Sequence, residues 1–294
     1  MLHTIKNEFL AVTAAEKGAE LQSILCADGT ECLWQGDSAY WSGRAPNIFP
    51  YVARLTEGSY RMDGALYHMS IHGIAPYARF ALKEHREDQM TLELSSDEET
   101  LAVYPRQFAF RVIYRLDGPV LHITYEVENR DGRTMYFGLG GHPGFNVPLG
   151  GNGRFEDCCL RFGSPCEPVR IGFTEDCFLS GRDTAYPLED GRTINLRHDL
   201  FDQDAIVLKN TDRQVTLESP GSGRSITVAF PQMQYVGFWH MPKTDAPYVC
   251  IEPWCSLPAA HGKLTVFEQQ DDLISLAPGG TYRNDWSIAV NSAG

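Results

Sequence analysis

Short runs of alternating or continuous apolar residues dominate this chain, and long amphipathic helical patterns are absent. Phe108 to Leu116 partly alternates and is rich in aromatic and β-branched residues. Asp117-Gly118 follows, and then Val120 to Val127, where Leu121, Ile123, Tyr125 and Val127 share one face and His122, Thr124 and Glu126 the other. The pattern predicts a β-hairpin closed by a type I′ turn. Further Asp-Gly turns stand at Asp28-Gly29, Asp63-Gly64, Asp131-Gly132 and Asp190-Gly191. Ser225 to Phe230, Tyr248 to Ile251, Asp272 to Leu276 and Tyr282 to Val290 also read as strands. Turn signals every one or two dozen residues, without helical periodicity, predict an all-β fold, a large antiparallel sandwich. The stretch from Leu149 to Asp204 is rich in Gly, Pro and Asp and reads as loops and short strands laid over it. No linker, internal repeat or low-complexity tract divides the chain, so residues 1–294 are expected to form a single domain.

Cys250-Ile251-Glu252-Pro253-Trp254 interrupts the apolar pattern with one carboxylate. Pro253 is expected to stop the strand and leave Glu252 at its end, between Ile251 and Trp254. An apolar wall there can raise a carboxylate's pKa, the tuning a general base needs, although a surface or ion-paired Glu fits the pentapeptide too. Gly138 to Asn146 carries His142 behind three glycines and ahead of Pro143 and Gly144. It fits a tight loop that aims one imidazole, or a glycine turn with an incidental histidine. His72 precedes Gly73, which lets backbone approach whatever His72 touches; a structural histidine is the other reading. Asn47 to Leu55 is an apolar run containing Arg54, either a solvated cation or a fixed fork for hydroxyl groups. Asp199, Asp202 and Asp204 precede the Ala205-Ile206-Val207 run, and Asp204, nearest the strand, is the one expected to be held rigidly.

Composition narrows the function. The balance of 43% hydrophobic and 21% charged residues over 294 is that of a globular protein. The net charge of −13 disfavours nucleic acid and anionic membrane surfaces as partners. The first ten residues carry Glu8 and no long apolar run, and no stretch is long enough to span a bilayer, so a cytoplasmic location is expected. Eight cysteines without CxxC spacing fit free thiols in a reducing compartment. No CxxC pair, EF-hand loop, Gly-x-Ser-x-Gly elbow or dinucleotide fingerprint occurs, and neither a metal nor a cofactor is expected.

The order Pro50-Tyr51-Val52-Ala53-Arg54-Leu55, His72-Gly73, Gly140-Gly141-His142-Pro143-Gly144-Phe145-Asn146, Asp204-Ala205-Ile206 and Cys250-Ile251-Glu252-Pro253-Trp254 resembles the aldose 1-epimerase (galactose mutarotase-like) superfamily, and within it the LacX-type branch. The resemblance implies a β-supersandwich. It implies Glu252 as general base at the anomeric hydroxyl and His142 as general acid at the ring oxygen. It implies that Arg54, His72 and Asp204 hold sugar hydroxyls, without cofactor. The chain departs from the better-characterised galactose enzymes at His72-Gly73-Ile74-Ala75, where they carry a fuller His-Gly-Gly pattern.

Opening and reclosing a hemiacetal needs a proton removed from O1 while another reaches O5, and a carboxylate with an imidazolium suits that exchange. Trp239, Trp254 or Phe145 is a candidate apolar platform for a pyranose. The expected activity is interconversion of the α and β anomers of a free hexose, such as glucose or galactose, by a monomer or homodimer. A hexose-phosphate mutarotase and a non-catalytic carbohydrate-binding protein are the alternatives.

Overall fold

A computed structural model describes residues 1–291. Two large antiparallel sheets carry the architecture. The first has nine strands, ordered Thr193–Asn195, Cys159–Phe162, Gln214–Ser219, Arg224–Ala229, Thr281–Asn291, Val120–Asn129, Phe108–Asp117, Gln89–Ser95 and Ala81–His85. The second runs Thr184–Ala185, Val169–Arg170, Ile206–Lys209, Tyr235–Trp239, Tyr248–Trp254, Gly140–Gly141 and Asn47–Ile48, with Gly144–Asn146 also pairing Tyr248–Trp254. They pack face to face. Phe162 of the first meets Phe238 of the second with ring centroids 6.2 Å apart, and a Cβ on Gly141 would lie 2.7 Å from the Trp286 ring. Small side sheets, among them Leu2–Lys6, Leu10–Ala15 and Leu21–Cys26, cover the edges. Helix is scarce: the one α-helix among the described residues, Glu98–Val103, is a six-residue piece capped by Asp97.

The predicted hairpin forms over Phe108–Asp117 and Val120–Asn129, with Leu121, Ile123, Tyr125 and Val127 buried. Its turn is not type I′. Asp117 pairs with Val120, so the central residues are Gly118, at φ +54°, and Pro119. A type I′ turn needs positive φ at both, which the proline ring forbids. The I′ pattern belongs instead to Asp63-Gly64 (φ +50° and +78°), between Met62 and its partner Ala65. The Leu149–Asp204 stretch is also more than a covering: its four short strands form the two outermost positions at one end of each large sheet.

Pro253 does not stop its strand, and Glu252 is not at a strand end. Tyr248–Trp254 runs through the proline, with Val236 opposite Pro253 and Gly237 opposite Glu252. On its other edge the partner chain segment changes. Ile251 N–H donates to Pro143 O and Cys255 N–H to Leu139 O. Between them the N–H that Pro253 lacks would face the Gly141-His142 segment, where no regular ladder bond is made. The proline is tolerated where the neighbouring backbone leaves the ladder.

Candidate functional site

Alternation along Tyr248–Trp254 separates core from site. Val249 and Ile251 enter the main core, while Tyr248, Cys250 and Trp254 pack in smaller clusters on the opposite face. Glu252 shares that second face. The neighbouring strand repeats the pattern, with Val236 and Phe238 inward and Trp239 outward. The outward face floors an open cavity of about 630 Å³. Arg54, His72, His142, Asp204 and Glu252 all line it, although they span some two hundred positions of sequence.

Glu252 and His142 form its centre. His142 Nε2 lies 3.2 Å from Glu252 Oε2, and both residues are nine-tenths or more buried. Burial pushes the Glu252 carboxyl well above its ordinary range, and the charge of Asp204 adds to this. Burial lowers the His142 imidazole to about 4. Both shifts favour the uncharged form of each group. The imidazole is fixed by rings, with Trp41 at 5.0 Å, His72 at 5.4 Å and Trp239 at 5.8 Å between centroids. Its segment is locked beneath by the glycine contact with Trp286 described above. Gly140–Gly141 is a two-residue strand rather than a free loop, and the chain leaves the sheet only at His142-Pro143.

His72 sits in left-handed backbone, φ +64°, on a loop pinned by its own main chain. Its N–H donates to Ala53 O at 3.0 Å, and Ala53 N–H donates to its Nδ1 at 3.3 Å. With Nδ1 accepting, the ring proton belongs on Nε2. Burial, with the nearby His142 and Arg54, holds this ring well below the usual imidazole range. Gly73 serves a different purpose from the expected one. A Cβ there would stand 2.3 Å from Phe49 O, so the close approach is to the Phe49-Pro50 backbone.

The rim is more open. Arg54 is exposed, and its guanidinium makes no hydrogen bond or ion pair among the described residues. Asp204, at φ +71°, accepts from Ala205 N–H and from the Cys177 thiol, whose Sγ is 2.7 Å from Oδ2. Burial and this carboxylate push the Cys177 thiol up to about 12. Asp199 pairs instead with Arg197, and neither Asp199 nor Asp202 lines the cavity.

Of the three expected aromatic platforms, Trp239 and Trp254 line the cavity. Phe145 does not: it is fully buried in the main core. Trp41 and Cys177 line the cavity and were missed from sequence. Trp41 belongs to a segment without periodicity. Trp34 Nε1–H donates to its carbonyl oxygen at 2.8 Å, and the rings of both residues stack on Tyr248.

The family model for aldose 1-epimerase matches residues 1–289. The chain is 32% identical to the chromosomal Protein LacX of Lactococcus lactis subsp. lactis over 300 aligned positions, 97% of this chain and 98% of the relative. Among solved structures, a galactose mutarotase related enzyme from Lactobacillus acidophilus superposes with a TM-score of 0.94 at 33% identity, covering 100% of this chain and 98% of the other. A galactose mutarotase-like protein from Lactobacillus casei ATCC 334 gives 0.92 at 31% identity, with coverages of 99% and 100%. This chain belongs to the aldose 1-epimerase family.

Proposed function

We propose that this protein is a cofactor-independent aldose 1-epimerase that interconverts the α and β anomers of a free hexose. The carrying observation is the Glu252–His142 pair, 3.2 Å apart on the floor of an open cavity walled by tryptophans. Mutarotation needs two proton-exchanging groups close enough to serve O1 and O5 of one pyranose, and this pair meets that requirement.

In the forward step Glu252, as carboxylate, takes the O1 proton while protonated His142 delivers one to O5. The C1–O5 bond breaks and C1=O1 forms. Rotation about C1–C2 presents the other face of the aldehyde, and the same two groups run the transfers backward. Both groups charged and both neutral differ only in which one holds the shared proton. At 3.2 Å that proton can pass directly from the carboxyl to the imidazole, without exchange with solvent. Neutral His72 donates through Nε2 to a hydroxyl, Asp204 accepts from others, and the Arg54 fork supplies donors without giving up an existing partner. Trp239 and Trp254 offer apolar surface to the sugar's C–H face.

Polarimetry of freshly dissolved α-glucose and α-galactose, with and without protein, tests this. We expect catalytic loss of the rotation difference with at least one sugar. The 6-phosphates belong in the same experiment, because Lys17 and Arg54 line the cavity and can receive a phosphate. Saturable sugar binding without acceleration would instead establish a carbohydrate-binding protein.

A further inference from the structure

The residue beneath the acid-base pair has no part in mutarotation. Cys250 lies two positions before Glu252 on the same face of the same strand, opposite Gly144. It is fully buried, and burial with the neighbouring Glu252 charge pushes its thiol well above the usual range. One ligand atom from each of His142, Cys250 and Glu252 can be chosen so that all three lie within 4.8 Å of one another. We propose that His142, Cys250 and Glu252 form a binding site for a soft divalent cation, Zn²⁺ or Cd²⁺, whose occupation shuts off the enzyme.

Donor type and geometry carry this. Imidazole, thiolate and carboxylate form a mixed nitrogen, sulfur and oxygen set that suits Zn²⁺ and, through its sulfur, Cd²⁺, and that Mg²⁺ and Ca²⁺ do not use. Tetrahedral zinc with bonds of about 2.0–2.3 Å puts its ligand atoms about 3.3–3.6 Å apart. The His142–Glu252 separation of 3.2 Å is already close to that, and the thiol must shift by no more than about the remaining ångström. The fourth position opens to the cavity, where water or a sugar oxygen can occupy it.

Charge agrees. Neutral imidazole, thiolate and carboxylate together carry two negative charges, and a divalent cation makes the buried cluster neutral. Binding is a balanced exchange: M²⁺ enters, the Cys250 thiol and the Glu252 carboxyl each release one proton, and no electron moves. Apparent affinity therefore falls as pH falls. His-x-x-x-His spacing could not reveal such a site, since its ligands come from a sheet-leaving turn and a strand more than a hundred residues apart.

Cation binding stands on these three side chains alone; the inhibition rests on the proposed acid-base role of Glu252 and His142. The test is titration of the full chain with Cd²⁺, read as thiolate-to-metal charge-transfer absorption, and with Zn²⁺, read by calorimetry and by mutarotation rate. We expect one equivalent whose absorption disappears in Cys250→Ala, loss of activity that a chelator restores, and no effect of Mg²⁺. In Cys250→Ala, which keeps the acid-base pair, the inhibiting Zn²⁺ concentration should rise at least about tenfold, the lower scale on which groups around a metal act. Should that variant not fold, Glu252→Gln supplies the same binding comparison. An unchanged Cd²⁺ band in either folded variant, or a parent enzyme insensitive to Zn²⁺ at full occupancy, overturns the proposal. An active parent with no such site removes only the cation site. A cation-binding parent without mutarotase activity removes only the function proposed above.

Discussion

The floor and the rim of the cavity are built differently. Glu252 and Cys250 stand on a central strand bonded on both edges, and His142 is wedged among Trp41, His72 and Trp239. The rim residues Arg54, Cys177 and Asp204 come from irregular segments, two of them in left-handed backbone, at φ +63° for Cys177 and +71° for Asp204. The floor has strongly displaced acidities because it is dry. The rim offers a solvated guanidinium and a carboxylate held by a thiol. A dry, rigid floor suits proton transfer, and a wet rim suits recognition, since solvated donors and acceptors exchange water for sugar at little cost. If so, floor substitutions act on kcat and rim substitutions on KM.

The largest expected effect is at the floor. Glu252→Gln keeps shape and hydrogen-bonding reach but cannot take the O1 proton. Its kcat should fall on the order of 10²–10⁴-fold while sugar binding, measured by calorimetry, survives. His142→Asn should lose a similar factor. The double variant should lose far less than the product, because one proton passes between the two groups. Near-parent rates in Glu252→Gln would erase the distinction between floor and rim.

At the rim, Arg54→Ala removes a charged donor that has no other partner. Charge-assisted hydrogen bonds are worth about 1.5–3 kcal/mol, so kcat/KM should fall on the order of ten- to a hundredfold, carried by KM. A fall carried by kcat would mean that Arg54 acts on the transition state and belongs with the floor.

The pH dependence sharpens the comparison further. The active floor carries one proton. Acid adds a second, onto the imidazole, which burial holds at about 4; alkali removes the only one, from a carboxyl that burial raises. The kcat/KM profile of the free enzyme should therefore be a plateau through neutrality, falling about tenfold per pH unit below roughly pH 4. The limbs are reversed relative to ordinary acidities: the acidic limb reports mainly the imidazole and the basic limb the carboxyl. The values belong to the pair. An acidic limb near neutrality in the free enzyme would show that the imidazole is wetter than this packing allows.

Much of the floor was legible because its residues break a strong pattern. A lone carboxylate in Cys250 to Trp254 and a histidine among glycines have few bland explanations together, and the hairpin from Phe108 to Asn129 is written in an alternation that is partial in its first strand and clear from Leu121 to Val127. What misled was local chemistry whose partner lies elsewhere. Pro253 reads as a strand breaker unless one knows that the facing chain leaves the ladder at His142-Pro143. Gly118 reads as a type I′ turn unless Pro119 is given its weight. Gly73 serves Phe49, two dozen residues earlier. Trp41 and Cys177 lie in segments without periodicity, and only tertiary contacts bring them to the cavity.

Cys177 gives the smallest predicted effect and the most discriminating one. Its thiol reaches Asp204 Oδ2 at 2.7 Å and lines the cavity, so it orients the carboxylate assigned to sugar hydroxyls without itself entering the proton transfers. Cys177→Ala removes one donor and lets the carboxylate rotate. A hydrogen bond of this kind contributes about 0.5–1.5 kcal/mol, so KM should rise on the order of two- to tenfold with kcat unchanged. Cys177→Ser restores a donor of similar reach and should recover most of the loss. A purely structural thiol would predict the opposite ranking, since serine's hydroxyl is the poorer filler of a partly buried, thiol-shaped space. Equal KM values for the alanine and serine variants would remove Cys177 from the rim's recognition apparatus and leave Asp204 oriented by its own Ala205 N–H.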